Sequence, residues 1–264
     1  MKPLSAFSAD IRRRVRGVFL DIDDTLTTDG RLTADAYAAL DGLAAAGILT
    51  VPITGRPAGW CDHIARMWPV EGVVGENGAF YFVYDRTQRK MHRRFLASCG
   101  QRRDARARLE ILRKTILAEV PGSAVASDQH YRETDLAIDF CEDVERLPQS
   151  AVARIVTLFE SAGATAKVSS IHVNGWFGTY DKLGMTKTLM RECFGVDLDA
   201  QKDRFVFVGD SPNDAPMFGY FPHSVGVANI RDFDGLPCAK PTYVCNERCG
   251  KGFVEIANAL LASR

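Results

Sequence analysis

Apolar runs alternate with amphipathic segments over the first third of the chain. Val18–Leu20 is continuously apolar, as strands buried on both faces of a parallel sheet are. Thr33–Gly47 has the spacing of a capped helix, Ile48–Ile53 predicts a second strand, and Ala58–Met67 predicts a second helix. This alternation of strands and helices is typical of an α/β fold with a parallel sheet.

A hairpin is predicted after the second helix. Val70–Val74 and Ala79–Tyr84 are short apolar runs, and Asn77-Gly78 lies between them. Asn-Gly between two apolar runs is a strong signal for a tight turn. The second run is therefore expected to pair with the first as a returning strand.

The pattern changes in the middle of the chain, where a polar and basic stretch precedes a new set of elements. Two helices and three strands are predicted there: Arg102–Glu119, Pro148–Ala162, Leu136–Phe140, Ala166–Ser169 and Ile171–Trp176. We therefore predict that residues 85–180 form a small α+β domain. It is inserted between residues 1–84 and 181–264, which together form the larger domain.

The last third resumes the first pattern. Arg204–Val208 predicts a strand, Ser224–Ala228 and Thr242–Val244 predict two more, and Phe253–Leu261 predicts a closing helix. These elements are expected to complete the parallel sheet that the N-terminal part begins.

The composition argues against nucleic acid as a partner and against a membrane or secreted location. Lys+Arg and Asp+Glu both number 33, so no global basic field favours nucleic acid. No apolar run approaches the ~18 residues of a membrane span, and residues 1–16 lack the apolar core of a signal peptide. The seven cysteines are scattered without a C-x-x-C pair, which favours free thiols in the cytoplasm. The oligomeric state stays open.

An acidic cluster directly follows the first predicted strand. Asp21, Asp23 and Asp24 lie there with the hydroxyl of Thr25. Carboxylates this close repel one another, so a cation is expected to offset their charge, and hard oxygen ligands favour magnesium. The alternative is a strand that ends in an acidic turn, since Asp favours turns.

Three further polar clusters lie at strand ends or helix starts. They are Thr54-Gly55-Arg56 after the second strand, Lys182 before a helix, and Gly209–Asp214 after a later strand. A hydroxyl and a glycine beside a helix N-terminus suit a phosphate oxygen. Taken singly, Thr54 is as well explained as a helix N-cap and Lys182 as a solvated lysine.

Together and in this order, the four clusters resemble the haloacid dehalogenase superfamily of phosphohydrolases. The resemblance covers Val15–Tyr84 and Asp181–Leu261. The long insert, with Glu76-Asn77-Gly78 before it, is similar to the branch with a class IIB cap. That branch includes Cof-type sugar-phosphate phosphatases, sucrose-phosphate and mannosyl-3-phosphoglycerate phosphatases, and eukaryotic phosphomannomutases. The resemblance implies a Rossmann-like parallel-sheet core with an inserted α+β cap, and hydrolysis of a small phosphomonoester, a sugar or polyol phosphate.

The same resemblance implies roles for the residues that match its motifs. Asp21 corresponds to the nucleophile that forms an aspartyl-phosphate, and Asp23 to the general acid that later serves as the base. Thr54, Gly55 and Lys182 correspond to the phosphate-binding residues. Lys182 is followed by leucine where glycine is usual, so Lys187 is a rival for its place.

A magnesium site is implied by the resemblance as well. Its ligands are expected to be Asp21, the backbone carbonyl of Asp23, and Asp210. Asp214 and Asn213 are expected to support the metal or its waters. Asp24 stands where glycine is common in the family, and it adds negative charge to the loop.

Several residues are candidates for substrate contact. They are Arg56, Glu76, Asn77, His172, Asn174 and Trp176. The last three alternate along one predicted strand and therefore share a face. Trp176 either stacks on a sugar or belongs to the core of the insert, and Arg56 either reaches the phosphate or forms a salt bridge.

Two functions of a different kind remain open beside the phosphatase. A phosphomutase would keep the phosphoryl group on Asp21 and return it to the substrate. A non-catalytic binding module would use the same fold without chemistry. The presence of Asp21, Asp23, Lys182 and Asp210 argues against that module, since a binding protein has no need of the nucleophile.

Overall fold

The computed structural model describes residues 1–264. Thirteen strands are present: β1 (Lys2–Pro3), β2 (Gly17–Leu20), β3 (Leu49–Pro52), β4 (Val73–Gly75), β5 (Phe80–Asp85), β6 (Lys90–Phe95), β7 (Ala124–Val125), β8 (Leu136–Asp139), β9 (Thr165–Val168), β10 (His172–Trp176), β11 (Phe205–Gly209), β12 (His223–Gly226) and β13 (Tyr243–Val244). Nine α-helices connect them: α1 (Ala9–Arg14), α2 (Ala34–Ala45), α3 (Ala58–Met67), α4 (Cys99–Glu119), α5 (Gln149–Ser161), α6 (Lys182–Phe194), α7 (Leu198–Gln201), α8 (Ala215–Tyr220) and α9 (Cys249–Leu261).

A six-stranded sheet forms the centre of the larger domain. Its order is β1-β13-β12-β11-β2-β3, and all neighbours are parallel. Every residue of β2 is buried, because two apolar clusters cover the two faces of the sheet. The strand begins with Gly17, where a Cβ would lie 2.9 Å from the carbonyl oxygen of Leu49. The predicted α/β fold with a parallel sheet is therefore confirmed.

The carboxyl ends of three neighbouring strands meet at one edge of this sheet. Asp21 directly follows β2, Asp210 directly follows β11, and Thr54 lies two residues beyond β3. Ligands of open α/β sheets bind at this edge. The topology thus brings together polar residues that lie far apart in the sequence.

A three-stranded antiparallel sheet, β4-β5-β6, continues beside β3 through a bridge between Ile53 and Val74. The turn between β4 and β5 places Asn77 at φ 56° and Gly78 at φ 105°. Strand β6 was not expected, since its sequence is largely basic. It forms because Met91 and Phe95 pack with the residues around α3, and Arg93, on the same face of the strand, pairs with Asp62 of α3.

The second unit is a four-stranded antiparallel sheet, β7-β8-β10-β9. Helices α4 and α5 supply the apolar side chains that cover it, among them Leu112, Ile116 and Phe159. We propose that residues 85–180 form the insert, although β6 within this range pairs with β5 of the three-stranded sheet. No helix has the length and apolar character that a membrane span requires.

Candidate functional site

Three carboxylates form a compact cluster at the carboxyl edge of the central sheet. Oxygens of Asp21, Asp210 and Asp214 lie within 4.8 Å of one another, and all three side chains are buried or nearly so. Asp214 also accepts a hydrogen bond from the backbone N–H of Asp210 at 3.1 Å, which fixes the turn after β11. Three oxygen donors at this spacing fit a hard divalent cation.

Lys182 provides the positive charge of this cluster. It is the first residue of α6, where Asp181 caps the helix by accepting a hydrogen bond from the backbone of Gly184. Its ammonium donates to Asp21 and to Asp214, each at 2.9 Å. The rival Lys187 instead pairs with Asp199 on the surface.

Burial and mutual repulsion shape the ionisation of the cluster. Burial raises the pKa of Asp21 to about 7, although the Lys182 ammonium opposes the rise. Burial, together with Asp214 and Asp21, raises the pKa of Asp210 well above its usual range. Burial disfavours the charged form of Lys182, but the two carboxylates outweigh it and raise its pKa. One lysine therefore leaves the cluster short of positive charge, which a bound cation would supply.

The acidic residues Asp21, Asp23 and Asp24 lie in a loop after β2 and not on the strand itself. Strand β2 ends at Leu20, and Asp23 lies in the turn that follows. Thr25 is fully buried and donates to Asp210 at 3.1 Å, so it ties this loop to the loop after β11. Asp24 adopts φ 56°, a left-handed conformation that glycine takes at least cost.

Arg56 forms the salt bridge that was one of its two predicted roles. Its guanidinium binds Asp23 through Nε and Nη2, at 2.8–3.1 Å. It also stacks over the ring of Trp60, 4.5 Å from the centroid. The Asp23 carboxylate is therefore held by Arg56, which lies just before the N-terminus of α3.

The loop after β3 is rigid around Thr54. The Thr54 hydroxyl accepts a hydrogen bond from the backbone of Arg56 at 3.0 Å, and its carbonyl accepts one from the backbone of Asn77. The hydroxyl proton is left to donate elsewhere. Thr54 is fully buried, whereas Gly55 and Asn77 line the cavity described next.

A small polar cavity of about 30 Å³ lies between the carboxylate cluster and the insert. Fifteen residues line it, and Ile171 is the one hydrophobic residue among them. The core contributes these predicted site residues: Asp21, Asp23, Gly55, Arg56, Asn77, Lys182, Asp210 and Asn213. The cavity is partly open to solvent, and its lining of charged, hydroxyl and amide side chains suits a polar occupant.

Two of the predicted contacts on β10 line the cavity and one does not. His172 and Asn174 face it, and Asn174 donates to Asp135 at 2.9 Å. Trp176 is 1% exposed, stacks on Tyr180 and lies outside the lining. It borders a neighbouring cavity of about 210 Å³ that Asn77, Lys182 and Asn213 also line, so both of its predicted roles stay predictions.

Glu76 has a different role from the substrate contact predicted for it. Its carboxylate accepts hydrogen bonds from the backbone of Ala58, Glu133 and Thr134, and from the Thr134 hydroxyl. The residue is fully buried and does not line the cavity. Its oxygens are occupied in joining the insert to the N-terminus of α3, so we withdraw Glu76 as a substrate contact.

Sequence reasoning missed the cavity residues that come from loops of the insert. They are Arg132, Ser169, Ser170 and Ile171, and Ser211 from the core was missed as well. Arg132 is held by Asp128 and Asp135 and donates to the carbonyl of Gly55 at 3.0 Å. No periodicity or motif in a single sequence marks such residues, because tertiary packing alone brings them to the site.

Known proteins of similar sequence and structure identify the family. A phosphoglycolate phosphatase of Halorubrum lacusprofundi is 30% identical over 216 residues, which are 80% of this chain and 83% of the relative. A solved sugar phosphatase of haloacid dehalogenase subclass IIB covers 93% of the chain, and 96% of its own length is matched, with a TM-score of 0.62 and 14% identity. The chain belongs to the haloacid dehalogenase superfamily. No protein-family model matches it.

The chain is a phosphatase, an enzyme of phosphoric monoester hydrolysis, as are the curated relative and the subclass IIB sugar phosphatase. A solved protein of Thermoplasma acidophilum has the same fold, with a TM-score of 0.66, 20% identity, and coverage of 93% of this chain and 98% of that one. The predicted family and fold class are confirmed. The roles of individual residues stay predictions.

Proposed function

We propose that this phosphatase is magnesium-dependent and hydrolyses a small phosphorylated metabolite through an aspartyl-phosphate on Asp21. The observation that carries the proposal is the contact of Lys182 with both Asp21 and Asp214, beside Asp210. Residues from three separate strand ends or helix starts thereby form one charged centre. The positive charge is needed because carboxylates repel a phosphate dianion.

The proposed reaction has two displacements at phosphorus. In the first, an oxygen of Asp21 bonds to phosphorus, the ester P–O bond breaks, and Asp23 donates a proton to the departing alkoxide. In the second, Asp23 removes a proton from water, the water oxygen bonds to phosphorus, and the bond to Asp21 breaks. Free phosphate leaves and the Asp21 carboxylate is restored, so one group provides both proton transfers.

We assign phosphate binding to Lys182, Gly55 and Thr54. Lys182 provides an ammonium beside the nucleophile, and Gly55 lines the cavity. The Thr54 hydroxyl has its acceptor site filled by the backbone of Arg56, which leaves its proton for a phosphate oxygen. The absence of a side chain at Gly55 lets the substrate approach the backbone closely.

Magnesium fits the donor set that the fold provides. Asp21, Asp210 and the carbonyl of Asp23 would hold it, with Asp214 and Asn213 supporting it or its waters. A bound magnesium ion would neutralise charge that develops on the phosphoryl oxygens. Burial, with the neighbouring carboxylates, raises the pKa of both Asp21 and Asp210, and a bound cation would favour their charged forms.

Two substrate classes are supported by different observations. The subclass IIB sugar phosphatase among the similar structures supports a sugar or polyol phosphate. The curated relative, a phosphoglycolate phosphatase, supports a phosphorylated hydroxy acid of two or three carbons as the second candidate. Arg56 and Arg132 line the small polar cavity and suit a carboxylate. All seven cysteines are free, which supports a cytoplasmic location.

The test is phosphate release from sugar, polyol, glycerate and glycolate phosphates, with magnesium and then with EDTA. We expect release only with magnesium, concentrated on one class. Asp21→Asn should abolish it, whereas Asp24→Asn, in the same loop but outside the cavity lining, should not. A normal rate in a folded Asp21→Asn protein would remove Asp21 as nucleophile. Release that appears only after priming with a sugar bisphosphate would indicate the phosphomutase.

A further inference from the structure

Arg56 lies among three carboxylates that come from both units of the protein. Asp23 belongs to the core, whereas Glu142 and Asp128 belong to the insert. Nη2 of Arg56 is 2.8 Å from Asp23 and 3.2 Å from Glu142, so one nitrogen serves both. The third carboxylate, of Asp128, is 3.7 Å from Nη1. The position of this guanidinium thus depends on groups of the insert.

Glu142 is carried on a loop whose shape is fixed. The loop follows β8, whose last residue, Asp139, is 1% exposed. The Asp139 carboxylate accepts hydrogen bonds from the backbone N–H groups of Cys141, Glu142 and Asp143, each at 2.8 Å. A loop held in this way presents its side chain in a defined place when the insert lies over the core.

The second oxygen of Glu142 is close to a histidine, although no hydrogen bond of good alignment joins them. It lies 2.9 Å from Nε2 of His172, a residue that lines the cavity. Against the effect of burial, the contact with His172 and the charge of Arg56 lower the pKa of Glu142 to about 2. The carboxylate is therefore charged, and Arg56 is the group that binds it by a hydrogen bond, although 31% of its side chain is exposed.

We propose that Glu142 is a positioning residue: it holds Arg56, and through Arg56 it places the Asp23 carboxylate when the insert closes over the core. The inference rests on the proposed function, in which Asp23 protonates the leaving group. Arg56 and Asp23 both belong to the core, whereas Glu142 reaches Arg56 from the insert. Closure therefore completes the fixation of the proton donor.

The leaving group of the substrate gives a readout specific to this role. An alkoxide needs a proton to depart, whereas p-nitrophenolate departs with little assistance. A shift of about 1 Å in a catalytic group can cost up to about 100-fold in rate. We expect Glu142→Gln to lower kcat/KM by about tenfold or more for the preferred alkyl phosphate and by less than about threefold for p-nitrophenyl phosphate.

Glu145→Gln is the matched control, because Glu145 lies in the same exposed loop and makes no ion pair. It should leave both rates unchanged. The double variant of Arg56→Gln and Glu142→Gln should be no slower than Arg56→Gln alone, since Glu142 acts through Arg56. Additive losses, or equal losses on the two substrates, would overturn the inference. A wild-type enzyme that releases no phosphate from any substrate would instead refute the proposed function.

Discussion

Replacing Lys182 by methionine removes the one cation that contacts the carboxylate cluster while keeping a side chain of similar length. The ammonium is 93% buried and lies 2.9 Å from both Asp21 and Asp214. Without it, Asp21, Asp210 and Asp214 remain buried within 4.8 Å of one another. Removing one partner of a buried pair typically costs about 3–5 kcal/mol.

That cost should be visible as a lower melting temperature in EDTA. For chains of this size, 1 kcal/mol corresponds to roughly 2–4 °C, so Lys182→Met should lower Tm by about 10 °C. Added magnesium should recover much of the loss, because a cation then offsets the carboxylates. Phosphate release should fall by at least about 100-fold even with saturating magnesium, since one electrostatic donor is lost.

Lys187→Met is the control, because its ammonium pairs with the exposed Asp199. Thermal unfolding monitored by circular dichroism, with EDTA and with magnesium, and a phosphate-release assay would be run on both variants. The control should match the wild type in each. The reasoning would be refuted by a Lys182→Met protein that melts in EDTA within about 2 °C of the wild type and turns over at its rate, or by a Lys187→Met protein that is inactive.

Three further substitutions test other parts of the site. Asp210→Asn should raise the magnesium concentration needed for half-maximal activity by more than about tenfold, and an unchanged titration would remove Asp210 as a ligand. Burial, with the nearby Asp135, raises the pKa of Glu76 from 4.5 to about 7, so its contribution to stability is full below about pH 4.5 and is lost as pH rises to 7. Glu76 should therefore lower the unfolding free energy by about 3 kcal/mol between pH 5 and 8, as measured by urea denaturation. Glu76→Gln should remove this decrease. An equal dependence of unfolding free energy on pH in both proteins would contradict the prediction. Asp24→Gly should raise Tm slightly, because φ is 56° there, and should leave kcat within about twofold; a tenfold loss would bring Asp24 into the site.

The central sheet could be predicted because its strands are short apolar runs separated by well-marked helices. Helix α3 has the bounds that the apolar spacing predicted, and the turn at Asn77-Gly78 joins two strands as expected. Strand β6 could not be predicted, since only two of its six residues are apolar and tertiary contact with α3 decides its conformation. The lead-in before β2 likewise contains α1, a short helix whose sequence is dominated by arginine.

The core of the candidate site was accessible to sequence reasoning because its residues lie where strands end. Asp21, Thr54 and Asp210 stand at the carboxyl ends of neighbouring parallel strands, so topology brings them together. Glu142 and Arg132 come from loops of the insert, and no local pattern predicts their approach to the core. Glu76 was misjudged because a buried carboxylate that binds backbone N–H groups has the same sequence context as one that faces a ligand.

The arrangement of β6 has a consequence for how copies of the chain meet one another. It is the outer strand of its sheet, so the backbone groups on one side have no strand partner. Lys90, His92, Arg93 and Arg94 are all exposed along it. Two such edges that approached in register would bring like charges together, which opposes the strand-to-strand addition through which exposed edges aggregate. The basic segment thus opposes mispairing at this edge of the folded chain.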